Sequence, residues 1–258
     1  MHVKVRRFHN SSMRFQISGK IGIITINRSE SRNSLSREMW DTLSLWCSEL
    51  PSRTQLLVIR GSGTDFTAGS DLKEFINLSI IEANESFEKM EQTIQTLENL
   101  LIPTIASING PAFGAGFMLA LGCDVRIGSP LARFGMPVGR LGITLQPPFI
   151  DRMIKHLGID RCKELIFTAR SIDAEEGLTL GLLSQIVPSK NLDEKTFELA
   201  EIILQQSAAS LSAVKTSISA VINKKELTTR KWVDDTDFVE GVRAFQEKRK
   251  ANFNTVRK

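Results

Sequence analysis

The feature that most constrains this chain is a repeated change of hydrophobic period. Short β-branched runs alternate with longer amphipathic stretches. Ile21–Asn27 (IGIITIN), Gln55–Arg60 (QLLVIR), Thr104–Ile108 and Cys123–Ile127 read as strands. Between them, Met39, Leu43, Trp46 and Leu50 recur at helical spacing behind Ser36, a helix N-cap. Glu82–Leu101 reads as a long amphipathic helix that ends before Pro103. Strands separated by helices imply a parallel sheet with both faces covered, so the expected class is α/β. From Phe149 onward the pattern is mainly helical, with one strand-like run at Ser184–Val187. We therefore expect a core over 13–190 and a helical C-terminal region over 191–258. Residues 1–12 read as a ragged extension.

Composition narrows the function classes. A chain of 258 residues with 41% hydrophobic and 24% charged residues is ordinary for a globular protein. A net charge of +4 is a mild excess, suited to anionic ligands such as phosphates. It gives no basic stripe with interleaved aromatics, and Tyr is absent, so no nucleic-acid partner is expected. No apolar run reaches the roughly 18 residues of a membrane span, so no membrane partner is expected. Arg6, Arg7, Arg14 and Arg28 precede the first acidic residue, Glu30. That would make a poor targeting signal, since a core strand already begins at Ile21, and a cytoplasmic location is expected. Cys47, Cys123 and Cys162 have no metal-ligand spacing and read as reduced core residues. No ligand cluster and no dinucleotide fingerprint appears, so neither a metal nor a redox cofactor is expected.

Two glycine-rich turns are the candidate chemistry. Asp65-Phe66-Thr67-Ala68-Gly69-Ser70-Asp71-Leu72-Lys73-Glu74 follows a strand and opens a helix near Asp71. Asn109-Gly110-Pro111-Ala112-Phe113-Gly114-Ala115-Gly116-Phe117 also joins a strand to a helix. Small residues let a ligand approach the backbone, and a helix start leaves unpaired N–H groups. Either turn alone could be no more than a tight connection. Side by side, each could aim one N–H at the same oxygen, which is the geometry of an oxyanion hole.

The motifs resemble those of the crotonase, or enoyl-CoA hydratase/isomerase, superfamily. Phe66–Lys73 is similar to its F-x-A-G-A-D-L-K turn, and Asn109–Gly116 to its N-G-x-A-x-G-G-G turn. Ile24–Leu35, Cys123–Ser129, Phe167–Gly181 and Glu240–Phe253 resemble further family stretches in order, covering about residues 20–253. The resemblance implies a spiral of ββα turns followed by a helical trimerisation region, a homotrimer or hexamer, and an acyl-CoA ligand. Coenzyme A would enter as part of the substrate, with no separate cofactor. It implies that the N–H groups of Ser70 and Ala115 hold the thioester oxygen. Ala115 stands where the family has its middle glycine, which a backbone donor tolerates if φ there is negative.

Further site residues follow from the same likeness. Ala68, Gly69, Asp71, Leu72, Lys73 and Gly114 would line the thioester and nucleotide. Arg32, Lys73 and Lys248 are candidates for CoA phosphates and Phe245 for the adenine. Each basic residue is equally readable as solvated charge, Phe245 as helix packing and Asp71 as a helix cap. The resemblance breaks at two places. Family hydratases carry glutamates where this chain has Met118 and Val138. Neither replacement can transfer a proton near pH 7, so hydration by that route is not expected. Gln146 occupies about the place where some members hold a carboxylate; it could orient a water or carbonyl, or be a polar loop residue. Arg140 could bind a substrate carboxylate in a malonyl-type decarboxylation, or be an ion-pair residue. Two readings stand: an enzyme that stabilises a thioester enolate with an unusual or substrate-supplied acid/base, and a non-catalytic acyl-CoA-binding protein.

Overall fold

The computed structural model describes residues 8–10, 12–225 and 232–253. In chain order the strands are β1 (Phe8–Asn10), β2 (Met13–Ser18), β3 (Ile21–Ile26), β4 (Leu56–Gly61), β5 (Thr104–Ile108), β6 (Pro111–Phe113), β7 (Val125–Gly128), β8 (Arg133–Gly135), β9 (Ser171–Ile172) and β10 (Gln185–Ile186). The helices are α1 (Arg37–Ser48), α2 (Leu72–Phe75), α3 (Ile80–Glu98), α4 (Ala115–Leu121), α5 (Pro147–Thr168), α6 (Ala174–Thr179), α7 (Leu192–Leu204), α8 (Ala208–Ile222) and α9 (Asp237–Gln246).

A seven-stranded sheet runs β1-β2-β3-β4-β5-β7-β10, and a three-stranded sheet runs β6-β8-β9. From β3 to β10 the large sheet is parallel, as the covered strands required. Every residue of β3 is buried, and its side chains divide by strand parity. Ile21 and Ile23 join Leu56, Val58, Ile105 and Ile127 on one face. Ile24 and Ile26 join Leu57 and Ile59 on the other, against α1, α3 and α4. Leu192 and Ala200 of α7 complete the first face. The helical region after residue 190 therefore begins with a helix that closes the sheet.

The expected start signals act locally. The Ser36 hydroxyl accepts from the Met39 N–H at 3.2 Å. Ser79 and Glu82 form a reciprocal capping box, which starts α3 two residues before the expected Glu82. Pro147 and Pro148 open α5.

One expectation is corrected. Phe8–Asn10, placed in a ragged extension, pair antiparallel with Met13–Phe15. The partner strand supplies their hydrogen bonds, a signal too short to read in a three-residue run. Residues 1–7, which hold Arg6 and Arg7, residue 11, and residues 226–231 and 254–258 lie outside the described residues.

Candidate active site

The site begins with how the first turn is pinned. Thr67 bridges to Ala112 in parallel: its N–H donates to Pro111 O at 3.0 Å, and Phe113 N–H donates to Thr67 O at 3.2 Å. Three residues further on, at Ser70, Leu35 N–H donates to Gly69 O at 2.8 Å and Asp71 N–H donates to Leu35 O at 2.9 Å. In extended chain, successive N–H groups point to opposite sides. With Gly69 C=O and Asp71 N–H both turned to Leu35, the Ser70 N–H faces away from it. Among the described residues it has no protein acceptor.

The second turn is pinned as firmly. Gly114 N–H donates to Gly135 O at 2.9 Å, and Gly114 O accepts the first helical bond of α4, from Met118. Ala115 is the first residue of α4, so its N–H is one of the donors a helix leaves unpaired. Its φ is not in the left-handed region, which meets the condition set for alanine at this place. The left-handed twist is taken one residue earlier, by Gly114 at φ 53°.

The two turns touch. A Cβ added at Gly69, where φ is 101°, would lie 2.6 Å from Phe113 O and 3.5 Å from Ala115 N. Gly69 therefore allows Ser70 and Ala115 to stand at one place. Both residues line the same cleft, of about 160 Å³.

Ala68, Gly69, Leu72 and Gly114 line this cleft beside the two donors. Met118 and Val138 line it as well, and each is nearly closed to solvent. Sequence reasoning did not find much of the remaining wall, including Phe87 and Met90 from α3, Met136, Ile143, Leu145, and Phe149 from α5. The period of Phe87, Met90 and Ile94 on α3 was the signal for that face. Among the described lining residues, Ser70 bears the one polar side chain, and none carries a carboxylate, imidazole, amine or guanidinium.

The remaining sequence candidates fall outside the lining. Asp71 caps α2 through Lys73 N–H and accepts from Arg28 Nη1 at 2.9 Å. Arg28 also donates to Ser34 O at 3.0 Å, so it ties the residue after Ser70 to the segment that pins Gly69. Asn33, fully buried, donates to Ser62 O and Asp65 O and fixes the strand side of the turn. Sequence reasoning placed neither Arg28 nor Asn33 at the site. Arg32 is exposed and pairs with Asp65 at 3.1 Å. Lys73 is exposed on α2. Arg140 is exposed and donates to Ala169 O at 3.3 Å, away from the cleft. Gln146 is the exposed N-cap residue of α5 and faces an adjoining cavity. Phe245 is 85% exposed at the end of α9, and Lys248 follows just beyond it.

The strongly perturbed groups lie elsewhere. Arg152, 5% exposed, makes paired bonds to Glu91 and Glu98, which hold its proton more tightly than usual. One turn on, burial pushes His156 down to about 4. Burial pushes the Cys47 thiol up to about 12 and raises Cys123 further. Among the described residues, no group of His, Cys, Asp and Glu could hold a metal, and no helix is long and apolar enough to cross a membrane.

With this geometry in place, likeness to known proteins decides the family. The enoyl-CoA hydratase/isomerase family matches residues 16–256. The chain belongs to this family. It is 32% identical over 247 residues to a crotonyl-CoA hydratase from Syntrophomonas wolfei, covering 91% of this chain and 94% of that protein. A crystal structure of an enoyl-CoA hydratase from Bacillus anthracis superposes with a TM-score of 0.85 at 29% identity, covering 95% and 100% of the two chains. A Thermobifida fusca structure in complex with acetoacetyl-CoA matches with a TM-score of 0.75 at 30% identity, over 84% and 89%. The expected crotonase-like core with C-terminal helices is thus the fold of the family member described here.

Proposed function

We propose that this family member binds an acyl-CoA in the cleft, with the thioester oxygen between the N–H groups of Ser70 and Ala115. The observation that carries this reading is the pair of unpaired donors on two touching turns, each locked by backbone bonds to a neighbouring strand. Donors fixed before the ligand arrives need no reorganisation as charge develops on the oxygen. The chemistry such a pair supports is removal of an α-proton or another α-group to give an enolate, or formation of a tetrahedral oxyanion.

The proton partner is the open part of that chemistry. Met118 and Val138, where the family resemblance would place the hydratase glutamates, line the cleft with side chains that cannot transfer protons. The Ser70 hydroxyl can relay a proton but is a weak base at neutral pH. An enzyme built this way would draw its acid or base from an unusual group or from the substrate. The bonding of Arg140 to Ala169 O gives no support to a carboxylated acyl group. A second reading, acyl-CoA binding without turnover, is favoured by this same absence of ionisable lining among the described residues.

The CoA moiety would leave the cleft beside Leu72, within reach of the exposed Arg32 and Lys73. Phe245 and Lys248 would meet adenine and phosphate from a neighbouring subunit. We propose a homotrimer or a pair of trimers, supported by exposed Val214, Ile218, Val221, Phe238 and Val242 on α8 and α9. Ultracentrifugation at micromolar protein tests it: a monomer would exclude both assemblies. The chemical test offers crotonyl-, 3-enoyl- and malonyl-CoA at high protein, alongside α-proton exchange of butyryl-CoA in heavy water. Exchange or turnover supports the enzyme. Tight binding with neither supports the binder. No binding of any CoA ester sinks both readings.

A further inference from the structure

The cleft shares a wall of four side chains with a second cavity. Phe87, Ile143, Leu145 and Phe149 line the cleft on one side. The same four residues line the second cavity, of about 510 Å³, on the other. Phe87 projects from α3 with its ring 5.4 Å from that of Phe75 on α2. Phe149 is nearly fully buried at the start of α5. Ile143 and Leu145 sit half-buried on the surface segment between them. Past this wall the lining turns polar, with Asn84, Glu88, Gln92 and Gln146.

We infer that this wall sets the acyl group: an uncharged alkyl or alkenyl chain of about six carbons or fewer, since an apolar cavity of about 150 Å³ accepts a benzene-sized guest. The inference rests on the acyl-CoA reading of the cleft. Each methylene added within the cleft exchanges water for Met90, Met118, Val138 and Phe149. A longer chain meets the wall and must either displace it or fold back. A terminal carboxylate would be buried among methionine, valine and phenylalanine with no cation among the described lining residues, a costly environment for a charge. Removing one wall side chain would join the two cavities and give a longer chain room.

Calorimetric titration of butyryl-, hexanoyl-, octanoyl- and dodecanoyl-CoA tests the wall, with succinyl-CoA as the charged comparison for butyryl-CoA. The expected affinity rises by about three- to fourfold per methylene up to about six carbons, then levels or falls. Succinyl-CoA is expected to bind at least about a hundredfold more weakly than butyryl-CoA. In Phe87→Ala and in Leu145→Ala the break should move to eight carbons or beyond. Leu145 lies on a surface segment, so its variant carries the test if Phe87→Ala does not fold. A continuous rise through dodecanoyl-CoA in the unaltered protein overturns the inference. So does a break unmoved in the folded variants, or succinyl-CoA binding as well as butyryl-CoA. In those cases butyryl-CoA still binds and the acyl-CoA reading stands. Failure of every ester to bind removes that reading and the wall together.

Discussion

Two regions of this molecule, about the cleft and about Arg152, use polar groups in opposite ways. Around Arg152 the charges are paired with one another: buried Arg152 makes paired bonds to the half-buried Glu91 and Glu98, with His156 one turn away. In the cleft, ionisable side chains are absent from the described lining, and the polar groups that matter are two backbone N–H donors. Perturbed titration is often a pointer to function. Here it marks the place where α3 is tied to α5. The proposed oxyanion geometry is carried by uncharged backbone. A site built from backbone can keep its donors while its side chains change, which is how family-like turns coexist with Met118 and Val138.

The comparison can be broken or sharpened at both ends. The largest expected effect is on folding. Arg152→Ala strands two carboxylates and should destabilise the protein by about 3–5 kcal/mol in denaturant unfolding. If a folded fraction retains butyryl-CoA affinity, the Arg152 region is structural; a selective loss of affinity would place it in the site. Gly69→Ala should act the other way round. The added Cβ collides with Phe113 O at a φ of 101°, separating the two turns. We expect at least about a hundredfold loss of enolate chemistry, in keeping with removal of one oxyanion donor, and a smaller loss of stability.

A pH titration of stability isolates His156. Its half-buried ring is held neutral down to about 4, whereas the unfolded chain takes up the proton near the ordinary 6.5. The unfolded state thus binds more protons between those values, so stability is full above about 6.5 and declines as pH falls toward 4. The contribution lost is about 3 kcal/mol. Arg126, Glu98 and Arg152 are the charged neighbours that modulate it. His156→Gln should flatten that part of the profile; an unchanged profile would show that His156 is not the group responsible. The smallest effect is expected at Arg28. Arg28→Ala frees Asp71 beside Ser70 and should weaken acyl-CoA binding about tenfold, with Arg28→Lys recovering part of it. Equal affinity in both variants would show that Ser70 is held by the Leu35 bonds alone.

Much of the fold was legible because it follows from period and caps. β3, β4 and β5 appear within one residue of the runs that announced them, and Ser36 caps α1 as its position required. Met13–Ser18 also alternates, with Met13, Phe15 and Ile17 inward, but its antiparallel pairing with β1 and β3 is long-range information. The strands β6, β8 and β9 have two or three residues and no period to read. In the site, the turns and their small residues were visible in the chain, as were Met118 and Val138. The back wall was not, because Phe87, Leu145 and Phe149 meet only once α3 and the segment before α5 pack together. Nor was Arg28, whose partner Asp71 lies 43 residues away.

The central claim is that Ser70 and Ala115 hold a thioester oxygen. Isotope-edited infrared spectroscopy of butyryl-CoA carrying ¹³C at the thioester carbonyl tests it directly. Two fixed N–H donors should polarise the carbonyl and shift its stretch to lower frequency on binding, with the shift reduced in Gly69→Ala. Bound ester whose carbonyl frequency stays at its solution value would contradict the account.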